Sequence, residues 1–370
     1  MRVVVLCLSP SRGGLELYAL EEIRQLIKRG HDCCAVVSSN SYLSATLEKE
    51  NIPFHTLKLA FKKLPLLAAK NLSAILIDFK ATTLHFHWGQ DLYLAALAKA
   101  IFNNKLALVH SRHMNLTRNK KDFFHSRFYQ QIDLLLVGTK LLQNDARRYL
   151  ALAEDKIKLL YLGVKAPVKA NTDCEQFFND VSFKRRRLNL AIFGRIEEGK
   201  GQHLVVEALQ RMVLAGKDIS LTLVGHTMDV VYKTKLEQGS RDISDFIQFK
   251  KFVNNAADSM SCFDIIVLST HCETFGLVLI EAMRAGVAVI GTNAGGVPEI
   301  IRHAETGLLV EPRSSASMQQ SIEQLYNQPA LLEKISAGGK QIADKIFSDD
   351  VHYEHLEQEL KSVTLAVTIS

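Results

Sequence analysis

Two glutamates eight positions apart, Glu273 and Glu281, are the most informative chemical feature of the sequence. A predicted strand at 265–268 leads into the loop with Glu273, and Gly276 allows a tight turn into a helix. The free N–H groups of that helix's first turn and the helix dipole favour an anion. One carboxylate could accept hydrogen bonds from the hydroxyls of a sugar, and the other could accept them from the hydroxyls of a ribose. The alternative interpretation is two solvated surface side chains.

Two cations in the segment 193–202 form a second candidate anion site. Arg195 and Lys200 follow a predicted strand, in a loop that also contains Gly194, Gly199 and Gly201. Such a pair can hold a diphosphate and stabilise the charge that grows as it leaves. The spacing of a Walker A loop is absent. The alternative is an ordinary basic turn between a strand and a helix.

A glycine pair after the first predicted strand is a third candidate. Gly13 and Gly14 would let a ligand approach the backbone at the start of a helix. The dinucleotide pattern G-x-G-x-x-G is absent, so a dinucleotide site is not indicated. Alone, the pair is more typical of a plain glycine turn.

Histidines lie in or just after two predicted strands, 83–87 and 106–110. His113 is the preferred candidate for contact with a substrate hydroxyl or a developing charge, and His110 is the alternative, or a core histidine. Polar groups at the carboxyl ends of parallel strands commonly form ligand sites. His85 and His87 share one face of a strand. No carboxylate or cysteine joins these histidines at a spacing typical of metal ligands, so no metal site is predicted.

The elements that must position these residues alternate between strand and helix in both halves of the chain. Such alternation predicts parallel sheets covered by helices, hence an α/β fold. In the first half the predicted strands are 2–8, 34–38, 74–77, 83–87, 106–110 and 134–138, with a helix over 15–28. In the second half the predicted strands are 190–193, 221–224, 247–249, 265–268 and 287–291, with helices over 202–215, 275–285 and 315–327.

Composition and charge restrict the class of protein. The 370 residues are 47% hydrophobic and 23% charged, which excludes a disordered, collagen-like or coiled-coil chain. Residues 1–190 contain 29 basic and 16 acidic side chains, whereas 191–370 contain 16 and 23. Halves of opposite sign predict two domains with different partners. The basic half could face a nucleic acid, an anionic membrane or an anionic substrate.

The termini and cysteines predict an intracellular protein. No apolar run reaches the ~18 residues that a membrane span needs. The apolar start lacks a signal-peptide cleavage site, so we interpret it as a strand. The six cysteines form no C-x-x-C pair and no disulfide framework, which predicts reduced thiols in the cytoplasm.

Taken in order, these motifs resemble a known family. The set comprises Gly13-Gly14-x-Glu16, Gly194-Arg195 with Lys200-Gly201, Glu273-Thr-Phe-Gly to Glu281-Ala-Met, and Gly295-Gly296-Val-Pro-Glu299. It resembles the retaining nucleotide-sugar glycosyltransferases of the GT-B fold, family four, of the type that builds bacterial envelope glycans. That resemblance implies two Rossmann-like domains with parallel sheets facing a central cleft. We expect an acceptor-side domain over 1–164 with a returning helix at 349–370, a linker at 165–187, and a donor domain over 188–348.

The resemblance also implies roles for individual residues. Gly14 would approach the donor phosphate, Arg195 and Lys200 would hold the diphosphate, and Glu281 would bind the ribose. Glu273 would bind hydroxyls of the donor sugar, and His113 would lie near the reacting sugar. The backbone at Thr274, Phe275, Gly276 and Leu277 would contact phosphate and sugar. His226, and the segment 252–255 where base contacts are expected, depart from the family pattern, which leaves the base open.

The expected function follows from the resemblance and the basic first half. It is retaining transfer of a sugar from a nucleotide diphosphate to a saccharide or lipid-linked acceptor, as in lipopolysaccharide synthesis, with neither a metal nor another cofactor. Basic and apolar residues at 57–67 and 118–124 predict contact with the anionic inner face of the cytoplasmic membrane. The alternatives are a GT-B enzyme with a soluble acceptor, a nucleotide-sugar epimerase, and a non-catalytic binding protein. A nucleic-acid partner is not expected.

Overall fold

The computed structural model describes residues 1–58, 65–102, 105–116, 118–168, 174–178, 183–253 and 256–369. They divide into two compact units, the first formed by residues 1–161 and 352–370 and the second by residues 162–351. The described part of 165–187 falls within the second unit. The first unit contains 24 basic and 16 acidic residues and the second 21 and 23. The contrast in charge is smaller than between the halves of the sequence, because the basic run 184–187 belongs to the second unit.

The first unit is a parallel sheet of seven strands in the order β3-β2-β1-β4-β5-β6-β7. Its strands are β1 (Arg2–Cys7), β2 (Asp32–Val37), β3 (Phe54–Thr56), β4 (Thr83–Phe86), β5 (Ala107–Arg112), β6 (Leu134–Val137) and β7 (Ile157–Leu159). Its helices are α1 (Gly14–Lys28), α2 (Tyr42–Lys49), α3 (Leu66–Asp78), α4 (Leu92–Phe102), α5 (Phe123–Tyr129) and α6 (Lys140–Tyr149).

Alternate residues of β1 enter two different cores because side chains alternate across a strand. Val4 and Leu6 pack on one face of the sheet with helices α3 and α4. Val3 and Val5 pack on the other face with α1 and the final helix. With both faces covered, β1 is apolar from Val3 to Cys7, as expected for a central strand of a parallel sheet.

The second unit is a parallel sheet of six strands in the order β10-β9-β8-β11-β12-β13. Its strands are β8 (Leu188–Phe193), β9 (Ile219–Val224), β10 (Ile247–Lys250), β11 (Ile265–Leu268), β12 (Ala288–Thr292) and β13 (Leu308–Val310). Its helices are α7 (Glu175–Phe178), α8 (Gln202–Leu214), α9 (Val230–Gly239), α10 (Ala256–Met260), α11 (Leu277–Arg284), α12 (Val297–Ile300), α13 (Ser315–Asn327) and α14 (Pro329–Ile346). The last helix, α15 (Asp349–Ile369), contributes its residues from His352 onward to the first unit.

The two sheets confirm the predicted α/β class, and most predicted strands lie within a residue or two of the observed ones. The strand predicted at 74–77 is wrong, since these residues belong to α3. Ala69, Leu72 and Leu76 are buried at helical spacing, and this longer pattern prevails over the short apolar run. None of the helices in the described residues combines the length and apolarity needed to cross a bilayer.

The prediction that all cysteines are reduced is also wrong for one pair. Cys174 and Cys262, 88 positions apart, form a disulfide in the second unit. Cys262 follows α10 and is buried, while Cys174 precedes α7 and is half-buried. Folding brings together two cysteines whose separation matches no local motif, so a search for short spacings could not find the pair.

Candidate functional site

Three loops of the second unit meet at the carboxyl ends of neighbouring strands β8, β11 and β12. Two of them are joined by hydrogen bonds. The Ser269 hydroxyl donates to the Lys200 carbonyl at 2.8 Å, and the Thr270 hydroxyl donates to the Gly199 carbonyl at 3.1 Å. A Cβ on Gly201 would lie 2.2 Å from the Ser269 carbonyl oxygen, so only glycine permits this approach.

Glu273 lies where the three loops converge. Its Oε2 pairs with Lys200 Nζ at 2.9 Å, and its Oε1 accepts a hydrogen bond from the Thr274 amide at 3.3 Å. From the third loop, the Gly296 amide donates to the Glu273 carbonyl at 2.9 Å. A Cβ on Gly295 would lie 2.0 Å from that carbonyl oxygen. The glycine pair thus packs against the backbone that positions the carboxylate.

The two predicted phosphate-binding cations have different partners. Lys200 is paired with Glu273, and each side chain is 24% exposed. Arg195 pairs with Glu197 at 2.9 Å and is 58% exposed. A cation with that exposure can leave a surface ion pair at little energetic cost and contact an anion.

The remaining donor-site candidates surround the start of α11. Gly276 has a φ of +101° and caps this helix, which accounts for glycine there. The Phe275 side chain is buried and its ring packs 6.0 Å from Phe347, so only its backbone can face a ligand. Leu277 is partly exposed on the first turn of the helix. Glu281, further along, is half-buried, and burial raises the pKa of its carboxyl.

At the position where base contacts were expected, the structure shows a stacked pair. The ring of His226, after β9, lies parallel to that of Phe252, after β10, with centroids 4.7 Å apart. Residues 254 and 255 lie outside the described part of the chain.

In the first unit, the glycine pair opens α1 after strand β1. The Gly13 amide donates to Glu16 Oε2 at 2.8 Å, so Glu16 caps the helix. Gly14 is exposed, and a Cβ built on it would meet nothing within 4 Å. The space above Gly14 is therefore open to a ligand.

The structure distinguishes between the two candidate histidines. His110 is buried and stacks on Phe86 with ring centroids 4.2 Å apart, and neither ring nitrogen bonds any described residue. His113, just after β5, is half-buried. Its Nε2 lies 3.3 Å from His87 Nδ1, and its ring packs 4.6 Å from Tyr18. His110 is a core residue, and His113 is the one with a polar neighbour.

The sequence analysis missed a buried carboxylate. Glu22 of α1 lies between His85 and His87 with no side-chain exposure, so the expectation that no carboxylate joins these histidines is wrong. Burial raises the pKa of Glu22 to about 7 and lowers that of His85 to about 3. The signal was present in the sequence, because Glu22 falls among Ala19 and Ile23 on the apolar face of α1.

Comparisons with known proteins agree with this architecture. The family model for Glycosyltransferase Family 4 matches residues 12–166, and that for Glycosyl transferases group 1 matches residues 173–342. N-acetyl-alpha-D-glucosaminyl L-malate synthase of Bacillus anthracis is 26% identical over 336 residues, 87% of this chain and 87% of that protein. The capsular polysaccharide biosynthesis glycosyltransferase CapM of Staphylococcus aureus is 30% identical over 173 residues, 44% of this chain and 43% of that protein.

A solved structure extends the likeness to both units. Anabaena Alr3699/HepE in complex with UDP superposes with a TM-score of 0.85 and 19% identity, over 98% of this chain and all of that one. The two family matches together cover most of the sequence, and both observed sheets fit the same fold. The chain belongs to the group 1 glycosyltransferases of family 4, which have the GT-B fold.

Proposed function

We propose that the protein transfers a sugar from a nucleotide diphosphate to an acceptor hydroxyl and retains the anomeric configuration. The observation that carries this proposal is the ion pair between Lys200 and Glu273 at the meeting of three loops, beside the start of α11. Cations, a carboxylate and a helix N-terminus in one place suit a ligand with both phosphate and sugar hydroxyls.

Each group has a part in the proposed reaction. The bond from the anomeric carbon to the diphosphate oxygen breaks, while Arg195, Lys200 and the amides at the start of α11 stabilise the departing charge. Glu273 accepts hydrogen bonds from hydroxyls of the donor sugar, and Glu281 accepts hydrogen bonds from hydroxyls of the ribose. The acceptor oxygen bonds to the same face of the anomeric carbon, and its proton passes to the leaving phosphate. No metal is needed, since these groups supply the positive charge that one would provide.

Thermal unfolding with a panel of UDP-, GDP- and ADP-sugars tests donor binding. A ligand that binds only the folded state raises the free energy of unfolding through mass action, by ~2.7 kcal/mol at one hundred times its Kd, and therefore raises the thermal midpoint. We expect one donor to raise the midpoint of the wild type and to raise that of Lys200→Ala far less. The surface variant Lys235→Ala, on α9, is the control and should respond as the wild type does. A panel without any stabilising donor would contradict the proposal.

Glu273→Ala should abolish transfer in an assay with the donor that the panel selects. The carboxylate accepts hydroxyls of the bound sugar, and removing it also leaves Lys200 without its partner. Wild-type turnover in this variant would mean that the site is assigned incorrectly.

For the acceptor, we propose a lipid-linked or saccharide intermediate of an envelope glycan at the inner face of the cytoplasmic membrane. A relative named for capsular polysaccharide synthesis supports this choice. In the first unit, the basic segment 118–121 precedes Phe123, which is 88% exposed. Leu67, 82% exposed at the start of α3, is another apolar surface residue. Lys62 and Lys63 of the other predicted membrane segment lie outside the described residues.

Flotation with vesicles that contain anionic lipid tests this contact. Each Lys or Arg near such a surface contributes ~1 kcal/mol, so the double variant Phe123→Ser, Lys121→Ser should float less than the wild type. Val230→Ser removes an exposed apolar side chain from the second unit and is the control. Equal flotation of all three proteins, or none in moderate salt, would exclude a membrane role for this segment.

A small anionic acceptor is the second candidate. The relative that matches 87% of this chain is named N-acetyl-alpha-D-glucosaminyl L-malate synthase, and the first unit has an excess of basic residues. With the donor known, competing lipid-linked and small carboxylate acceptors in one assay will distinguish the two candidates.

A further inference from the structure

A row of buried polar side chains crosses the first unit and ends at His113. The Ser111 hydroxyl lies 2.8 Å from His85 Nε2, and His85 Nδ1 lies 2.6 Å from Glu22 Oε1. Glu22 Oε2 lies 3.3 Å from His87 Nε2 without hydrogen-bond geometry, and neither atom has a hydrogen-bond partner among the described residues. His87 Nδ1 lies 3.3 Å from His113 Nε2. The side chains of Glu22, His85 and His87 have no exposure. Four contacts therefore connect five side chains in sequence.

The shortest of these distances fits a shared proton better than a metal ion. Two ligands of a tetrahedral zinc, with bonds of ~2.0 Å, are ~3.3 Å apart. His85 Nδ1 and Glu22 Oε1 are only 2.6 Å apart, which is the length of a charge-assisted hydrogen bond. We therefore interpret the row as a chain of hydrogen-bond donors and acceptors.

The negative charge on Glu22 determines which nitrogen of each neighbouring histidine ring carries the proton. A neutral imidazole has one nitrogen with a proton and one with a lone pair. Burial keeps His85 and His87 neutral by lowering both pKa values. A lone pair facing a carboxylate oxygen would repel it, so each ring turns its proton toward Glu22. His85 then has its proton on Nδ1, and His87 has its proton on Nε2.

The same logic fixes the next ring. With its proton on Nε2, His87 presents a lone pair at Nδ1, and His113 Nε2 must donate to it. Burial lowers the pKa of His113 to about 3, so this ring is also neutral and its lone pair is on Nδ1. That atom bonds none of the described residues.

We propose that Glu22 and His87 are positioning residues that hold the proton of His113 on Nε2 and leave Nδ1 as a hydrogen-bond acceptor. If the proposed function is correct, Nδ1 accepts a hydroxyl of the donor sugar or of the acceptor rather than donating to it. Only this last step depends on the proposed function, because the tautomer is a property of the free protein.

Other groups around His113 do not compete for its ring proton. Tyr18 packs on the ring, but its hydroxyl lies 2.7 Å from His352 Nε2. His352 Nδ1 in turn lies 2.7 Å from the Tyr161 carbonyl, which can only accept. His352 Nε2 therefore has the lone pair, and the Tyr18 hydroxyl donates to it. The neighbouring Arg112 donates to the Asn115 carbonyl.

Long-range ¹H–¹⁵N correlation spectra of histidine side chains test the proposal directly. In the ligand-free protein at pH 8.5, we expect the proton of His85 on Nδ1 and the protons of His87 and His113 on Nε2. Loss of one signal set in His113→Asn assigns that ring. A proton on Nδ1 of His113, or on Nδ1 of His87, would overturn the proposal.

Glu22→Gln tests the role of the carboxylate. An amide offers one acceptor and one donor where the carboxylate offers two acceptors, so either His85 or His87 must move its proton to its other nitrogen. If His87 changes, His113 must change with it, and if His85 changes, His87 and His113 must both stay as they are. The proposal is wrong if no ring proton moves or if His87 moves its proton alone. Tyr18→Phe is the control and should leave all three tautomers unchanged.

A pair of variants of similar size separates positioning from packing. His87→Asn keeps a polar group near the place of Nδ1, facing His113, whereas His87→Leu leaves His113 Nε2 without its partner. We expect kcat to fall ~10- to 100-fold in the Leu variant and less in the Asn variant, as is typical for loss of an outer partner of a site residue. Equal losses in both would indicate a packing role. Inactivity of the wild type would refute the proposed function and leave the NMR result standing.

Discussion

Backbone packing positions Glu273, where the three loops of the second unit meet, as much as its side-chain ion pair does. Glu273 is held by a side-chain bond to Lys200 and by a backbone bond from Gly296. Its position therefore depends on a neighbouring loop that carries no charge of its own. Motif spacing identified Glu273, but the backbone contact through Gly295 and Gly296 is a matter of packing that only the structure shows.

Gly295→Ala should weaken donor binding by displacing Glu273. Both Gly295 and Gly216 have positive φ, +62° and +77°, so alanine at either position is strained by ~1–2 kcal/mol. Only at Gly295 would the new Cβ also collide with a backbone, that of Glu273. We expect the stabilising donor to raise the unfolding midpoint of Gly216→Ala normally and that of Gly295→Ala little. An equal response in both variants would show that the collision is relieved without moving Glu273.

Among the elements, those with long hydrophobic patterns could be predicted and the short ones could not. The central strands β1, β4, β8 and β11 have apolar runs that suffice to identify them. The strands β3, β7 and β13 have three residues each and lie at sheet edges, where pairing rather than composition defines them. Glu22 was missed although it lies on the apolar face of α1, because its histidine partners come from another element.

The disulfide between Cys174 and Cys262 joins two elements, the start of α7 and the end of α10. A crosslink over a loop of this length restricts the unfolded chain, and loss of such a bond typically costs ~2–4 kcal/mol. We expect Cys174→Ser to lower the free energy of unfolding by that amount without reductant, and to match the wild type once reductant is added.

Thiol counting under denaturing conditions provides the control. The wild type should show four reactive thiols before reduction and six after it. Cys272→Ser, which removes an exposed free thiol, should leave the stability unchanged. Six thiols in unreduced protein would contradict the disulfide.

At the scale of the whole molecule, the first unit should be sensitive to acid. Burial lowers the pKa values of five of its histidines: His85 and His113 to about 3, His352 to about 4, and His87 and His110 in the same direction. The unfolded chain binds these protons near pH 6.5 and the folded unit does not, so stability falls as the pH drops below that value. For His85, His113 and His352 this cost is ~2 kcal/mol each by pH 5.

Glu22 has the opposite effect, because its raised pKa lets the folded unit bind a proton between about pH 7 and 4.5. That gain is ~3 kcal/mol, less than the combined loss from five histidines. Trp88, the single tryptophan, packs on a core of the first unit and reports its unfolding by fluorescence. We expect a clearly lower urea midpoint at pH 5.5 than at pH 7.5. A midpoint that is unchanged, or higher at pH 5.5, would show that these histidines are protonated in the folded unit.

The return of α15 has a consequence for synthesis on the ribosome. Tyr353, Leu356 and Leu360 lie in the core beside β1 and α1, although they are translated after the whole of the second unit. All of the second unit, residues 162–351, leaves the ribosome before the first unit has its final helix. The first unit thus begins to be translated first, but its set of residues is completed only after that of the second unit. A premature stop shortly before residue 352 would leave the carboxyl-terminal unit whole and expose an apolar surface on the amino-terminal one.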